Sequence, residues 1–240
     1  QNADRPPVRD AGRPVAHAGS ARLLQYGAQS DRFPVVFIPS LINPPHVLDL
    51  SERRSLLRHM VAAGHDAYLV DWGAPEGADA SLGLDRHVTE RLLPLLAALP
   101  RPPILVGYCL GGSLALGAAA LVPTAAIATI AAPWRFSHFP AADLELIASL
   151  WSGAKAMCQR IGYVPMEVLQ SGFWAMDPAR TIRKFAAFAD AESGSDAEQA
   201  FLAVEDWANE GPPLTYAAGR DLFESFYAGD APGRGQWRVG

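Results

Sequence analysis

The chain has 240 residues, half of them hydrophobic, which is enough to bury a substantial core in one domain or in a core with an inserted subdomain. The formal net charge of −5, without a block rich in Lys or Arg, argues against nucleic acid as a partner. The two cysteines show no metal-ligand spacing, and no apolar stretch reaches the ~18 residues of a membrane-spanning helix. We therefore expect a soluble cytoplasmic chain with no metal and no transmembrane segment.

Strand and helix signals begin after an N-terminal segment that is rich in Pro, Arg and Gly and has no sustained period. This composition predicts an N-terminal arm, or an incomplete entry to the fold, over residues 1–30. Short apolar runs then alternate with segments of helical spacing, which predicts right-handed βαβ units, a parallel sheet and the α/β class for residues 31–132. The predicted strands are 34–39, 66–72, 103–108 and 125–132. The predicted helices are 49–64, 88–99 and 110–121.

The segment "GYCLGG" lies between a predicted strand and a predicted helix, and it contains Cys109. This pattern has the form of a nucleophile elbow with cysteine in place of serine. Gly107, Gly111 and Gly112 leave room for a tight turn, because a Cβ at these positions would meet neighbouring backbone. The helix N-terminus favours a thiolate at Cys109, and the Leu110 N–H is placed to stabilise an oxyanion. The alternative is that Cys109 is a small buried hydrophobe.

The elbow and three further stretches, "LINPPHVLDLS", "DWGAP" and "FLAVEDWANEG", resemble the polyhydroxyalkanoate synthase family over most of residues 20–229. The resemblance implies an α/β-hydrolase fold and an acyltransferase whose cysteine nucleophile is Cys109. Cys109 would then take the acyl group of a 3-hydroxyacyl-coenzyme A as a thioester and pass it to the hydroxyl of a growing polyhydroxyalkanoate chain. The acyl-coenzyme A is the substrate, and no further cofactor is implied.

The short arm and "DWGAP" resemble the synthase subunits that work with a second subunit. A second synthase subunit or a second copy of this chain is therefore the implied protein partner. The surface of cytoplasmic polymer granules is the implied location.

Residues that follow the first predicted strand also match family positions. The fold places its second oxyanion donor in this loop, and we assign that role to the Ile42 N–H. Asn43 is interpreted as a residue that orders the loop, and Asp49 as a helix cap. Asp49 or Ser51 would cap the first helix, and Gly64 would end it.

Helical segments alone follow from about residue 133. They predict a helical cap over residues 133–240, inserted after the strand that follows the nucleophile helix, which restricts access to Cys109. The remaining core strands are expected beyond residue 240, and without them the sheet keeps an open apolar edge. Cys158, in a cap helix, is interpreted as a buried hydrophobe.

An α/β-hydrolase triad runs nucleophile, acid, histidine along the chain. His138 is the one histidine after Cys109, and it directly follows the fourth predicted strand, so we interpret it as a polar loop residue. The resemblance implies that the triad Asp and His come after Gly240. Residues 1–240 are therefore expected to be acylated at most once per chain.

Two other functions remain open. "GYCLGG" also suits a cysteine-dependent hydrolase or esterase of the dienelactone-hydrolase type. A catalytically silent relative that binds granules or a synthase subunit is the non-enzymatic alternative.

Overall fold

The computed structural model describes residues 12–176, 178–189, 192 and 194–240. A six-stranded sheet forms its centre, with the strand order β1-β2-β6-β3-β7-β8. Strands β6, β3, β7 and β8 are parallel, whereas β1 and β2 are antiparallel additions at one end. The α/β class and the four predicted core strands are therefore confirmed. The strands of this sheet are β1 (Arg13–Ala18), β2 (Ala21–Tyr26), β3 (Val35–Ile38), β6 (Ala67–Asp71), β7 (Ile104–Tyr108) and β8 (Ala126–Ile130).

The helices and the minor strands complete the described parts of the chain. The helices are α1 (Leu56–Ala62), α2 (Leu84–His87), α3 (Leu93–Ala97), α4 (Leu110–Ala119), α5 (Ala141–Ile161), α6 (Met166–Met176), α7 (Pro178–Ala189), α8 (Asp196–Asn209) and α9 (Tyr216–Arg220). A π-helical segment, Val88–Leu92, joins α2 to α3, and a second one, Asp221–Ala228, continues α9. Short 3-10 turns lie at Pro45–Leu48, Gly77–Asp79 and Phe136–His138. Two two-stranded ribbons are formed by β4 (Asp49–Ser51) with β5 (Arg54–Ser55), and by β9 (Tyr163–Val164) with β10 (Leu214–Thr215).

Apolar side chains cover both faces of the central strands, which explains the continuous apolar runs of these strands. In β3, Val36 and Ile38 pack into one hydrophobic cluster, while Val35 and Phe37 pack into another on the opposite face. All four side chains are buried. This two-sided burial fixes β3 at the centre of the sheet and places its carboxyl end beside that of β7.

The expectation of an arm over residues 1–30 is wrong for the described part of that segment, residues 12–30. Ala21–Tyr26 pairs antiparallel with β6, and Arg13–Ala18 pairs with Ala21–Tyr26 as a hairpin. Five of the six residues of β2 are buried, because the strand lies between β1 and β6. The polar and Pro-containing sequence of β1 hid the hairpin, since an edge strand needs little apolar surface.

The first core helix starts later than predicted, at Leu56, and its cap is neither Asp49 nor Ser51. Ser55 accepts a hydrogen bond from the Arg58 N–H and caps the helix. Asp49 is instead buried, and the guanidinium of Arg58 donates to its carboxylate at 3.0 Å. A buried carboxylate needs such a partner, and this requirement decides the role of Asp49.

Loss of the Ser55 cap tests this local structure. Ser55→Ala should lower the free energy of unfolding by about 1 kcal/mol, because the Arg58 N–H loses its acceptor. Urea denaturation followed by circular dichroism measures the change. Ser51→Ala is the matched control, and an equal loss in both variants would contradict the assignment of the cap.

The described part of residues 133–240 adds no strand to the central sheet. Helix α5 packs against α6 and against the π segment Asp221–Ala228. Strand β8 is the outer parallel strand, and all five of its residues are exposed, including Ile127 and Ile130. The sheet thus presents an open and partly apolar edge at β8.

Candidate active site

A sharp turn at Cys109 connects β7 to α4. Cys109 has a φ of +53° and a ψ of −129°, a backbone conformation that residues other than glycine rarely adopt. Its N–H donates to the Ile130 carbonyl at 2.9 Å, and its own carbonyl accepts from the Gly112 N–H at 2.9 Å. Such strain persists only where the surroundings impose it, as they do at a nucleophile elbow.

Three glycines leave no space for side chains around this turn. A Cβ on Gly107 would lie 2.3 Å from the Gly112 Cα, and a Cβ on Gly112 would lie 2.2 Å from the Ala132 Cβ. A Cβ on Gly111 would lie 2.1 Å from the Ile38 carbonyl oxygen. These close approaches are the physical reason for glycine at all three positions, which the sequence predicted.

The loop after β3 lies directly beside the elbow. Ile38 pairs in parallel register with Gly107, so that Ser40 and Cys109 each follow the paired position by two residues. The indole of Trp72 donates to the Pro39 carbonyl at 3.0 Å and holds the start of this loop. Ser40 is buried, and its hydroxyl acts as a hydrogen-bond donor that lowers the pKa of Cys109. Sequence reasoning missed Ser40, although the aligned strand ends could have indicated it.

The two backbone N–H groups that the sequence assigned to the oxyanion site interact with different side chains. The Leu110 N–H acts as a donor that lowers the pKa of the Cys109 side chain. The Ile42 N–H instead donates to the Ser40 hydroxyl at 3.1 Å. An acyl oxygen that used the Ile42 donor would therefore have to replace the Ser40 hydroxyl.

The charge state of Cys109 differs from the expected thiolate. Burial raises the pKa of the Cys109 thiol above its ordinary value, and the hydrogen bonds from Leu110 and Ser40 only partly offset this effect. The expectation of a dipole-stabilised thiolate is wrong, because desolvation of the sulfur outweighs the donors at the start of α4. Cys109 is thus a thiol at neutral pH.

Tyr227, in the last helical segment, lies near the elbow. Tyr227 packs its ring against Phe136 and Phe139 with centroid distances of 5.0 and 5.5 Å, and against Phe223 at 6.4 Å. Burial and, secondarily, the proximity of Cys109 raise the pKa of Tyr227 to about 12. Nothing local in the sequence indicated Tyr227, because its position beside Cys109 results from tertiary packing.

The loop after β3 is also tied to helix α8. Asn43 donates to the Ala208 carbonyl at 3.4 Å, and the indole of Trp207 donates to the Pro44 carbonyl at 2.9 Å. Asn43 thus orders this loop, as its sequence context suggested. An open cavity of about 370 Å³, lined in part by Leu41 and Asn43, lies at the carboxyl ends of β3 and β6.

None of the six histidines, all of which the structure describes, shifts the pKa of Cys109 through a hydrogen bond or a charge. His138 is exposed in the 3-10 turn Phe136–His138. His87 is buried, its Nδ1 lies 2.8 Å from the Gly83 carbonyl oxygen, and burial lowers its pKa. Its contact with the ring of Trp72, at 6.2 Å between centroids, belongs to the core.

The described residues contain no cluster of three or more His, Cys, Asp or Glu side chains able to hold a metal ion. Within the same parts of the chain, every helix is too short or too polar to cross a bilayer. Cys158 is fully buried in α5, in the hydrophobic cluster that contains Trp151.

A model of the alpha/beta hydrolase family matches residues 35–238, so the chain belongs to this family. Over most of its length it is similar to proteins named poly(3-hydroxyalkanoate) polymerase subunit PhaC. The protein of Haloferax mediterranei is 30% identical over 86% of this chain and 44% of its own length. That of Allochromatium vinosum is 28% identical over 81% of this chain and 56% of its own length. The resemblance to the polyhydroxyalkanoate synthase family is thereby confirmed, and the chain spans about half the length of these relatives.

Solved structures share the fold. AqDC, which recognises and ring-cleaves the Pseudomonas quinolone signal, superposes with a TM-score of 0.55 at 14% identity, covering 88% of this chain and 71% of that protein. A carboxylesterase of the thaumarchaeon Nitrososphaera gargenis gives a TM-score of 0.53 at 12% identity, with coverages of 89% and 71%. At these identities the comparison establishes the α/β-hydrolase fold alone.

Proposed function

We propose that the chain is the acyl-accepting part of a polyhydroxyalkanoate synthase and that Cys109 is its nucleophile. The observation that carries this proposal is a cysteine at a strained strand-to-helix turn in a chain similar to PhaC polymerase subunits. A cysteine suits the reaction because exchange of one thioester for another keeps the acyl group activated.

The reaction has two balanced half-reactions. The Cys109 sulfur attacks the carbonyl carbon of a 3-hydroxyacyl-coenzyme A, the bond from carbon to the coenzyme A sulfur breaks, and the thiol proton ends on the released coenzyme A. The hydroxyl of a growing polyester then attacks the Cys109 thioester, and its proton returns to the Cys109 sulfur. The Leu110 and Ile42 N–H groups are assigned to the oxyanion of each tetrahedral intermediate.

The surroundings of Cys109 suit an uncharged acyl chain. Tyr227 lies near the sulfur, and its ring packs against the aromatic rings of Phe139 and Phe223.

Mass spectrometry of the intact chain and of its proteolytic peptides, after incubation with a 3-hydroxyacyl-coenzyme A, tests the proposal. One acyl mass on the peptide that contains Cys109 is the expected result. Acylation without polymer but with release of the free hydroxy acid would identify a cysteine hydrolase. Absence of any acyl adduct, in protein whose circular dichroism shows it folded, would leave the silent granule- or subunit-binding function.

The pH dependence of the thiol is a separate prediction. Because burial raises the pKa of Cys109, the rate of its alkylation by iodoacetamide should increase with pH and reach half-maximum above the pKa of a free cysteine. Peptide mass spectrometry at a series of pH values measures this rate for Cys109 separately from Cys158. A half-maximum near neutral pH would contradict the prediction and would reinstate a helix-stabilised thiolate.

Assembly and location follow from the same proposal. The relatives are named as polymerase subunits, so we propose that this chain associates with a second synthase subunit or with a copy of itself. Its place would then be the surface of cytoplasmic polyester granules. Light scattering with size-exclusion chromatography distinguishes a dimer from a monomer, and co-sedimentation with isolated granules tests the location.

A further inference from the structure

The Ser40 hydroxyl occupies a position between two groups that the proposed reaction needs. It accepts from the Ile42 N–H at 3.1 Å, and as a donor toward the Cys109 sulfur it lowers the pKa of that thiol. A hydroxyl has one proton and two lone pairs, so it can make both bonds at once. Ser40 is only 4% exposed, which leaves its hydroxyl little water as an alternative partner.

The backbone fixes this position. The pairing of Ile38 with Gly107 places the loops after β3 and β7 side by side, and Gly111 contacts the Ile38 carbonyl so closely that a Cβ would not fit. The Trp72 indole holds the Pro39 carbonyl from the other side. Ser40 therefore follows a segment that is fixed by strand pairing, by helix contact and by a buried hydrogen bond.

We propose that Ser40 is a positioning residue: its hydroxyl stabilises the thiolate form of Cys109 before reaction and releases the Ile42 N–H when an acyl carbonyl oxygen arrives. The inference rests on the proposed function, in which Cys109 is the nucleophile. One side chain would then act on both groups. The Ser40 hydroxyl would favour ionisation of the Cys109 sulfur, and before substrate binds it would be the hydrogen-bond acceptor of the Ile42 N–H, the second oxyanion donor. In the acylated state the Ser40 hydroxyl no longer faces a charged sulfur, so its exchange with the acyl oxygen leaves no ion unpaired.

Two other titratable groups face Cys109, and neither can take over this role. Tyr108 precedes Cys109 on β7, and Tyr227 faces it from the segment Asp221–Ala228. Burial raises the pKa of both phenols, that of Tyr227 to about 12. Both phenols are therefore neutral at neutral pH, and the substitution Ser40→Ala leaves both of them in place.

Alkylation of Cys109 by iodoacetamide as a function of pH tests the first half of the proposal in the 240-residue chain. Loss of one hydrogen bond to an ion in Ser40→Ala should raise the half-maximum by about one pH unit, which is about a tenfold slower reaction at any pH below it. Ser113→Ala is the matched control, because Ser113 is also buried and lies one turn along α4, but its hydroxyl donates to the Pro133 carbonyl. An unchanged half-maximum in Ser40→Ala, or an equal shift in Ser113→Ala, would overturn the proposal.

Two variants of nearly equal shape separate the effect of the hydroxyl from the effect of altered packing. Ser40→Thr keeps the hydroxyl, whereas Ser40→Val has nearly the same shape without it. The half-maximum of Ser40→Thr should lie below that of Ser40→Val by about one pH unit. Equal values would overturn the proposal even if Ser40→Ala fails to fold.

Acylation by a 3-hydroxyacyl-coenzyme A tests the second half. At a pH above both half-maxima, Ser40→Ala should be acylated at least as fast as the unaltered chain, because its Ile42 N–H needs no exchange of partners. Slower acylation at that pH would overturn the displacement of Ser40. Alkylation requires no acyl transfer, so a chain that shows the pH shift but accepts no acyl group would contradict the proposed function and leave the bond from Ser40 to Cys109 standing.

Discussion

Cys109→Ala should abolish acyl transfer to the chain while leaving its fold intact. Alanine keeps the Cβ, so the backbone at φ +53° carries nearly the same strain, and the Ile130 and Gly112 hydrogen bonds involve backbone atoms alone. No acyl mass should appear after incubation with a 3-hydroxyacyl-coenzyme A, and the urea midpoint should remain close to that of the unaltered chain. Intact-protein mass spectrometry and circular dichroism give the two readouts.

Two variants control this result. Cys158→Ala removes the other sulfur, which is buried in α5, and acylation should persist at full stoichiometry with some loss of stability. Cys109→Ser should be acylated much more slowly, because a serine hydroxyl does not ionise without a base. Acylation of Cys109→Ala at the same site stoichiometry as the unaltered chain would exclude Cys109 as the nucleophile.

The central strands and the elbow were predictable because their signals are local. The run from Val35 to Ile38 is apolar on both faces, which is typical of a buried parallel strand. Cys109 lies between glycines, and a side chain on Gly111 or Gly112 would collide with Ile38 or Ala132. The local pattern "GYCLGG" was enough to predict that these positions need glycine.

The features that were missed depend on partners distant in sequence. Strand β2 exists because β6 pairs with it across more than 40 residues, and its own sequence is ambiguous. The pKa of Cys109 depends on how deeply the assembled chain buries the sulfur, and a helix N-terminus alone does not determine that. Tyr227 and Ser40 reach Cys109 from separate segments, so only the tertiary structure brings them together.

Among alanine substitutions of the three elbow glycines, Gly111→Ala should destabilise the fold most. The new Cβ would lie 2.1 Å from the Ile38 carbonyl oxygen and 2.3 Å from that of Pro39, and both atoms belong to the backbone. Ile38 is paired with Gly107, and the Pro39 carbonyl accepts from Trp72, so neither can withdraw without breaking these bonds. We expect a loss of about 3 kcal/mol in the free energy of unfolding, at the upper end of overpacking.

Gly153→Ala is the matched control for this change, because Gly153 also lies in a helix, α5, and a Cβ there meets nothing within 4 Å. It should stabilise the chain by about 0.5–1 kcal/mol, the difference in helix propensity between the two residues. Urea midpoints of the two variants should therefore move in opposite directions from that of the unaltered chain. If Gly111→Ala moved with Gly153→Ala, helix α4 would not lie against the end of β3, and the placement of Ser40 beside Cys109 would be contradicted as well.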